Sequence, residues 1–215
     1  MNIEFNFYKQ VEEMINHLQN HELKDYKNRS LIVIIDMVNG FAKKGPLYSL
    51  RINELIPGIK HLLESSKELG IDSLAFLDCH KCDSLEFDSY VKHCVEDTFE
   101  SMLIEELHSI GVDKTITKGS TNGFIEEEFQ KYLKENINNY DNFIVVGNCT
   151  DICISQFATT LKAYLNKENL KKSVIVPFEL VDTYDSENHN GNFLANIALY
   201  NMNLNGVTII KNFSY

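Results

Sequence analysis

Five chemically active side chains stand at or just beyond the ends of short apolar runs: Asp36, Asp78, His80, Lys118 and Cys153. A thiol can attack a carbonyl carbon, a carboxylate can take the thiol proton, and an ammonium group can keep that carboxylate ionised and oriented. Cys153, Asp36 and Lys118 therefore supply the parts of a triad for nucleophilic acyl transfer. Each also has an ordinary alternative: a small core thiol, a turn acceptor and a solvated strand end.

Cys153 belongs to the segment VVGNCTDICI, which joins an apolar run to the helical pattern ISQFATTLKAYL. A thiol at a helix start lies near the positive end of the helix dipole and near backbone N–H groups, so we expect its pKa to be lowered. The same N–H groups can form an oxyanion hole for a tetrahedral intermediate, which contributes about 3–4 kcal/mol to transition-state stabilisation.

A second group of side chains lies in the segment DCHKCDSLEFDSYVKHC. Asp78 and His80 are two residues apart at a strand end, so their side chains share one face. Glu86 and His93 add a carboxylate and an imidazole. Two imidazoles and two carboxylates suit a borderline divalent ion such as zinc, iron or manganese, with water in the open positions.

The same segment contains Cys79 and Cys82 in a C-x-x-C spacing, with Cys94 further on. A redox dithiol is expected at a helix start, whereas CHKC has the composition of a loop. A closed structural zinc site needs four ligands, and no second C-x-x-C completes one. The chain has five cysteines, an odd number that does not favour a disulfide framework.

The apolar runs predict six strands buried on both faces, as in a parallel sheet. The runs are LIVII, SLAFL, KTITK, NFIVVG, SVIVP and GVTIIK. Helical patterns alternate with them at residues 53–69, 100–110, 125–137, 154–165 and 192–200, after a helical pattern at residues 7–23. The alternation predicts a three-layer α/β fold, with helices on both faces of a six-stranded, mostly parallel sheet. Because functional residues gather at the carboxyl ends of such strands, the five side chains should meet at one edge.

The composition limits the class of protein. A length of 215 residues with 44% hydrophobic residues suits one globular domain. The net charge of -11 and the absence of a dense Lys/Arg group argue against nucleic acid as a partner. The apolar runs are too short to span a bilayer, and the first residues lack the pattern of a secretory signal. We therefore expect a cytoplasmic protein with reduced thiols.

Five motifs, in this order, resemble those of the isochorismatase-like cysteine hydrolases and, within them, the nicotinamidases. The motifs are IIDMVNGF, LDCH, YVKHCVEDTFES, ITKGSTNGF and VVGNCTDICI. The resemblance begins near Leu31 and extends to the C-terminus. We accordingly divide the chain into an N-terminal helical extension, residues 1–30, and a hydrolase domain, residues 31–215.

The resemblance implies a role for each matching residue. Cys153 would be the nucleophile, Asp36 the general base and Lys118 the third member of the triad. The implied metal ligands are Asp78, His80 and His93, with Glu86 in a fourth position that varies within the family.

The resemblance also implies how a substrate would be held. A non-proline cis peptide is expected between Cys149 and Thr150, where it would place the N–H of Cys149 beside that of Cys153 as an oxyanion hole. Phe41 and Tyr90 match positions that sandwich a pyridine ring, and aromatic faces suit such a ring. Two departures concern substrate contacts: Val38 stands where the family often has glutamine, and YVKHC replaces Trp-Pro-Pro-His-Cys.

Together with the two groups of side chains, the resemblance implies a metal-assisted amidase that converts nicotinamide to nicotinate and ammonia, a step of NAD salvage, through a thioester. The expected cofactor is a divalent metal, zinc before iron or manganese, the substrate a small carboxamide, and the assembly a homo-oligomer. One alternative is a related amide or carbamoyl hydrolase that works without metal, and another is a non-catalytic binding or redox-sensing protein. True isochorismatases generally lack the cysteine, so Cys153 argues against vinyl-ether hydrolysis.

Overall fold

A parallel sheet runs through the centre of the structure, a computed structural model that describes residues 3–215, with side chains described from Tyr8 onward. The strands are β1 (His21–Glu22), β2 (Ser30–Ile35), β3 (Asp72–Asp78), β4 (Lys114–Lys118), β5 (Asn142–Asn148), β6 (Ser173–Pro177), β7 (Val181–Asp182), β8 (Thr208–Ile210) and β9 (Phe213–Ser214). The α-helices are α1 (Ile3–Asn16), α2 (Asn39–Ala42), α3 (Leu50–Glu54), α4 (Ile56–Glu68), α5 (Glu105–His108), α6 (Glu127–Asn136), α7 (Ser155–Lys167) and α8 (Gly191–Leu204).

The main sheet has the strand order β4-β3-β2-β5-β6-β8, and short β7 pairs with the end of β5. Every neighbouring pair in it is parallel. The six predicted strands and the mostly parallel sheet are therefore confirmed. The register brings Asp78 opposite Lys118 and Ile35 opposite Gly147, so the carboxyl ends of β2, β3, β4 and β5 lie at one edge.

Alternating strand residues build two apolar cores, one on each face of the sheet. Leu31, Val33 and Ile35 of β2 pack with apolar residues of α6, α7 and α8. Ile32 and Ile34 pack on the opposite face with apolar residues of α4 and α5. All five of these β2 side chains are fully buried, which stabilises the fold by about 1.5–3 kcal/mol each. The three-layer arrangement predicted from the alternating pattern is thus present.

Two helical predictions differ from the structure. The pattern at residues 53–69 is divided between α3 and α4, and Pro57 lies in the first turn of α4, where a missing N–H leaves no hydrogen bond broken. The helix predicted at residues 100–110 is wrong for the first half of that range. Only α5, a single turn at Glu105–His108, forms in the second half. The backbone before α5 bonds instead to the segment after β2: Ile104 N–H donates to Met37 O at 3.1 Å, and Asn39 Nδ2 donates to Phe99 O at 3.0 Å.

The N-terminal helix α1 packs against α8. The rings of Tyr8 and Phe193 lie 5.6 Å apart, and Tyr200 Oη donates to Gln10 Oε1 at 3.0 Å. The helix ends at Asn16, well before the predicted end, because the following chain turns into β1, which pairs with β9. The division at residue 30 stays a prediction, and the first two residues of that extension lie outside the described residues. Among residues 3–215, no helix has the length and apolar character needed to cross a membrane.

Candidate active site

The carboxyl ends of four neighbouring strands carry the residues of the site. Asp36 follows β2, Asp78 ends β3, Lys118 ends β4, and Cys153 lies just beyond β5. Asp36 has a φ of 53°, in the left-handed region that aspartate tolerates better than most residues. Its N–H donates to Phe76 O at 3.1 Å, and its carbonyl accepts from Asn148 Nδ2 at 2.7 Å. These bonds fix the turn that follows β2 against both neighbouring strands.

Lys118 connects the other members of the site. Its Nζ donates to Asp78 Oδ1 at 2.7 Å and to Ser120 O at 2.7 Å, and it lies 3.1 Å from Asp36 Oδ2. The Sγ of Cys153 is 3.9 Å from the same Nζ. Burial lowers the pKa of Lys118, but the charges of Asp36 and Asp78 more than reverse this and hold it well above its usual range. A fully buried ammonium group therefore lies between two carboxylates and the thiol.

Asp36 is a base suited to neutral pH. Burial raises the pKa of its carboxyl to about 7, while Lys118 opposes the shift and Asp78 adds to it. Neither carboxylate oxygen of Asp36 accepts a well-aligned hydrogen bond from the described residues. The ion pair with Lys118 is therefore the main interaction that stabilises the ionised form of Asp36. A carboxyl group with a pKa near 7 can both accept and return a proton at physiological pH.

Cys153 lies in one turn of π-helix, Thr150–Ile154, which precedes α7. Burial raises the pKa of its thiol well above the usual range; the charge of Lys118 opposes this and that of Asp36 adds to it. The expectation of a lowered pKa was wrong, because burial and the neighbouring carboxylate outweigh the helix start. The resting group is therefore a thiol, and a nucleophilic attack by this sulfur would require a base.

Cys149 differs from Cys153 in its surroundings. The non-proline cis peptide joins Asn148 to Cys149, so its predicted position between Cys149 and Thr150 was wrong by one residue, because Thr150 already belongs to the helical turn. Burial raises the pKa of the Cys149 thiol to about 12. Gly147 precedes this segment, and a Cβ there would lie 2.1 Å from Ile35 O, so no other residue fits between β2 and β5. The oxyanion-hole assignment of the Cys149 and Cys153 N–H groups stays a prediction.

Asp78, His80 and His93 form a buried cluster whose potential ligand atoms all lie within 4.8 Å of one another. Asp78 Oδ2 is 3.0 Å from His80 Nε2 and 3.1 Å from His93 Nε2. His93 Nδ1 donates to Val91 O at 2.7 Å, so a bound cation would meet the Nε2 atom of the neutral ring. A carboxylate and two imidazole nitrogens at this spacing fit a borderline divalent ion.

Glu86 lies at the edge of this cluster. Its Oε1 is 4.0 Å from His80 Nε2, and its side chain is 15% exposed. It belongs to the short 3₁₀ turn Leu85–Asp88, whose first residues are capped by Ser84. The structure thus brings Glu86 near the three buried residues but not into the tight group, and its assignment as a fourth ligand stays a prediction.

A cavity of about 500 Å³ opens onto both groups. Cys153 and Asp78 line it, and so do the two aromatic residues that were predicted to hold a ring, Phe41 and Tyr90. The ring centroids of Phe41 and Tyr90 lie 5.6 and 6.2 Å from that of His93. Glu86, His93 and Cys149 line the cavity as well, whereas Asp36, His80 and Lys118 do not; His80 and Lys118 contact Asp78, and Asp36 contacts Lys118.

One wall of the cavity was not predicted from the sequence. It consists of Arg51 at α3 and of Tyr184, Asp185 and Ser186, which follow β7. The segment TYDSENHN stands between the SVIVP run and the last helical pattern, at another strand end. That strand is β7, a two-residue strand that none of the six apolar runs predicted, so the rule that identified Asp36 and Lys118 could not be applied to this segment from the sequence.

Sequence comparison places the chain near known proteins. A family model described as isochorismatase domain matches residues 30–201. Nicotinamidase 1 of Arabidopsis thaliana is 31% identical over 172 residues, which cover 71% of this chain and 66% of that protein. The chain thus spans slightly less than two thirds of the length of this relative.

Solved structures share the fold. An isochorismatase-like hydrolase from Alkaliphilus metalliredigens matches with a TM-score of 0.71 and 21% identity, over 85% of this chain and 95% of that one. The pyrazinamidase of Pyrococcus horikoshii in complex with zinc matches with a TM-score of 0.69 and 20% identity, over 85% and 99%. N-carbamoylsarcosine amidase from Thermoplasma acidophilum matches with a TM-score of 0.67 and 21% identity, over 85% and 96%.

Proposed function

The chain belongs to the isochorismatase domain family, and on that premise we propose that it is a metal-assisted cysteine amidase that hydrolyses nicotinamide to nicotinate and ammonia. One observation carries the proposal: Lys118 Nζ contacts Asp36, Asp78 and Cys153 at once, so a triad and an Asp–His–His cluster share one cavity. The identity with a curated nicotinamidase supports the choice of substrate.

The first half of the reaction forms a thioester. Asp36 takes the proton of the Cys153 thiol as Sγ attacks the carboxamide carbon. The N–H groups of Cys149 and Cys153 would hold the developing oxyanion, a contribution of about 3–4 kcal/mol. Asp36 then returns the proton to the amide nitrogen, the C–N bond breaks, and ammonia leaves. Lys118 stabilises the anionic charge that passes between Asp36 and the sulfur.

The second half releases the acid. A water molecule in the space left by ammonia gives its proton to Asp36 as its oxygen attacks the thioester carbon. The C–S bond breaks, Asp36 returns the proton to Cys153, and the carboxylic acid leaves and gives its remaining proton to the released ammonia in solution. The sum is one carboxamide and one water converted to one carboxylate and one ammonium ion. A pKa of about 7 lets Asp36 act in both directions.

The Asp78, His80 and His93 cluster, with Glu86 beside it, would hold a divalent ion, for which we propose zinc, as in the Pyrococcus horikoshii structure. When bound, such an ion supplies a Lewis-acid site for the ring nitrogen of the substrate. Phe41 and Tyr90 would flank the ring, since both line the cavity close to His93. Holding the ring in this way presents the carboxamide to Cys153 and avoids the entropy cost of orienting it during reaction.

A second candidate is a metal-independent amide or carbamoyl hydrolase. The contacts among Cys153, Asp36 and Lys118 need no metal, and the fold resembles that of N-carbamoylsarcosine amidase. Such an enzyme would use the same triad on a substrate without a ring nitrogen.

An ammonia-release assay separates the two candidates. Purified protein of measured metal content would be tested on nicotinamide, pyrazinamide, benzamide and carbamoyl amino acids, before and after chelation. We expect turnover of the pyridine and pyrazine amides, its loss on chelation, and its return with zinc. Turnover of carbamoyl amino acids that survives chelation would favour the second candidate. A protein that binds metal in a one-to-one ratio and leaves nicotinamide unchanged would contradict the proposal.

A further inference from the structure

The loop after β7, residues 183–190, is fixed at both ends. Arg51 Nε donates to Thr183 O at 2.9 Å, and its Nη2 donates to Asp182 Oδ1 at 2.6 Å. At the other end, Asp185 Oδ1 accepts from Gly191 N–H at 2.8 Å. Ser186 and His189 also exchange backbone hydrogen bonds of 2.9 and 3.2 Å. The loop therefore has a defined shape beside the cavity.

Within this loop, Tyr184 stacks on His189. The two ring centroids are 3.8 Å apart and the ring planes differ by 15°. The imidazole bonds on both sides: Nδ1 lies 3.0 Å from Tyr184 O, and Nε2 lies 2.8 Å from Asp151 Oδ2. Both partners are acceptors, so the ring donates both bonds when it carries two protons. His189 thus fixes both the backbone and the ring of Tyr184.

Asp151 connects the stacked Tyr184 and His189 rings to the turn that carries Cys153. It belongs to the π-helical turn Thr150–Ile154, two residues before Cys153. Its side chain and that of His189 are 14% and 13% exposed, so water screens their interaction little. The position of Tyr184 is therefore set relative to the turn that carries the attacking sulfur.

Tyr184 lines the cavity together with Tyr90, which comes from the loop of the metal cluster. The imidazole of His189 stacks on one face of the Tyr184 ring, and Tyr184 lines the cavity, so the ring would meet a bound molecule through its other face or its edge.

We propose that Tyr184 is a specificity-determining residue that packs against the ring of an aromatic carboxamide, and that His189 and Asp151 are positioning residues that hold it there. The proposal rests on the amidase function proposed above. A flat ring gains contact with a fixed phenol, whereas a small aliphatic amide cannot reach across the cavity. Tyr184 would thus favour planar heteroaromatic amides over aliphatic ones.

Binding measurements test the proposal without turnover. Zinc-supplemented Cys153→Ala protein would be titrated with nicotinamide and with isobutyramide, each with and without the added change Tyr184→Ala. We expect the added change to weaken nicotinamide binding by about 3- to 10-fold and isobutyramide binding by less than about 2-fold. Tyr215→Ala is the matched control, because Tyr215 also contacts a histidine ring, His61, at 4.1 Å but does not line the cavity.

A double-mutant cycle tests the positioning role of His189. His189→Ala should weaken nicotinamide binding when Tyr184 is present and add little when Tyr184 is already alanine. His189→Gln, which keeps a donor for Asp151, should restore part of the affinity. Thermal unfolding of each variant separates these effects from loss of fold.

Each result decides between the proposals. If Cys153→Ala protein binds neither ligand, the amidase function and the role of Tyr184 both fail. If it binds nicotinamide equally well with and without Tyr184, the role of Tyr184 alone is overturned. Additive effects of His189→Ala and Tyr184→Ala would overturn the positioning role.

Discussion

Lys118 and Asp78 join the two halves of the candidate site, because Lys118 Nζ donates to Asp78 Oδ1 at 2.7 Å while Asp78 Oδ2 faces His80 and His93. One carboxylate thus serves the triad with one oxygen and the imidazole cluster with the other. Burial alone would raise the pKa of Asp78, but Lys118 and the two histidines hold it well below its usual range. The residue stays ionised and supports both groups.

Replacing Lys118 should damage stability as well as activity. Lys118→Ala leaves Asp36 and Asp78 buried without their shared cation, which costs about 3–5 kcal/mol of unfolding free energy. Urea unfolding measures the loss. Lys114→Ala is the matched control on the same strand: its exposed ion pair with Glu128 is worth about 0–1 kcal/mol. Equal losses for the two variants would contradict the central role of Lys118.

The pH dependence of kcat/KM should follow the ionisation of the Asp36 carboxyl. Its pKa is raised to about 7, so the carboxylate needed as base is lost as the pH falls through that value. We expect kcat/KM on nicotinamide to fall about tenfold per pH unit below 7 and to level off above it. Rates would be measured at constant metal occupancy. An acid limb centred near the usual aspartate range would show that another group titrates.

The two cysteines of VVGNCTDICI should respond differently to substitution. Cys153→Ala removes the sulfur proposed to attack and should abolish ammonia release. Cys149→Ala should retain most of it, because the role proposed for Cys149 belongs to its backbone N–H. Steady-state assays measure both, and mass spectrometry after rapid quenching should find the acyl group on Cys153 alone. Loss of activity in Cys149→Ala protein that folds normally would assign a chemical role to the second thiol.

Metal binding should depend on the buried histidines. His80→Ala and His93→Ala each remove an imidazole from the cluster and should lower zinc affinity by more than about tenfold. Elemental analysis after dialysis against a graded chelator measures this. His108→Ala is the control, because His108 is 75% exposed and lies outside the cluster. Glu86→Gln should have a smaller effect if Glu86 is a ligand, and none if it is not.

The sequence predicted the features that depend on short-range pattern. Apolar runs identified the strands, and the strand-end rule brought Asp36, Asp78 and Lys118 to one edge. Prediction from the sequence failed where contacts between residues far apart in the chain determine the structure or the pKa. The chain before α5 bonds to the segment after β2, so its helical pattern did not form a helix. The thiol pKa of Cys153 depends on burial that the local sequence does not reveal.

Asp36, Asp78 and Lys118 end consecutive neighbours in the sheet, and Gly147 allows β5 to approach β2 closely beside them. Neighbouring strands are spaced by about 4.8 Å, a distance that side chains from adjacent strand ends can bridge directly. Backbone pairing therefore sets the spacing of Asp36, Asp78 and Lys118. The positions of Asp36, Asp78 and Lys118 relative to one another are set when the sheet forms, before any ligand arrives.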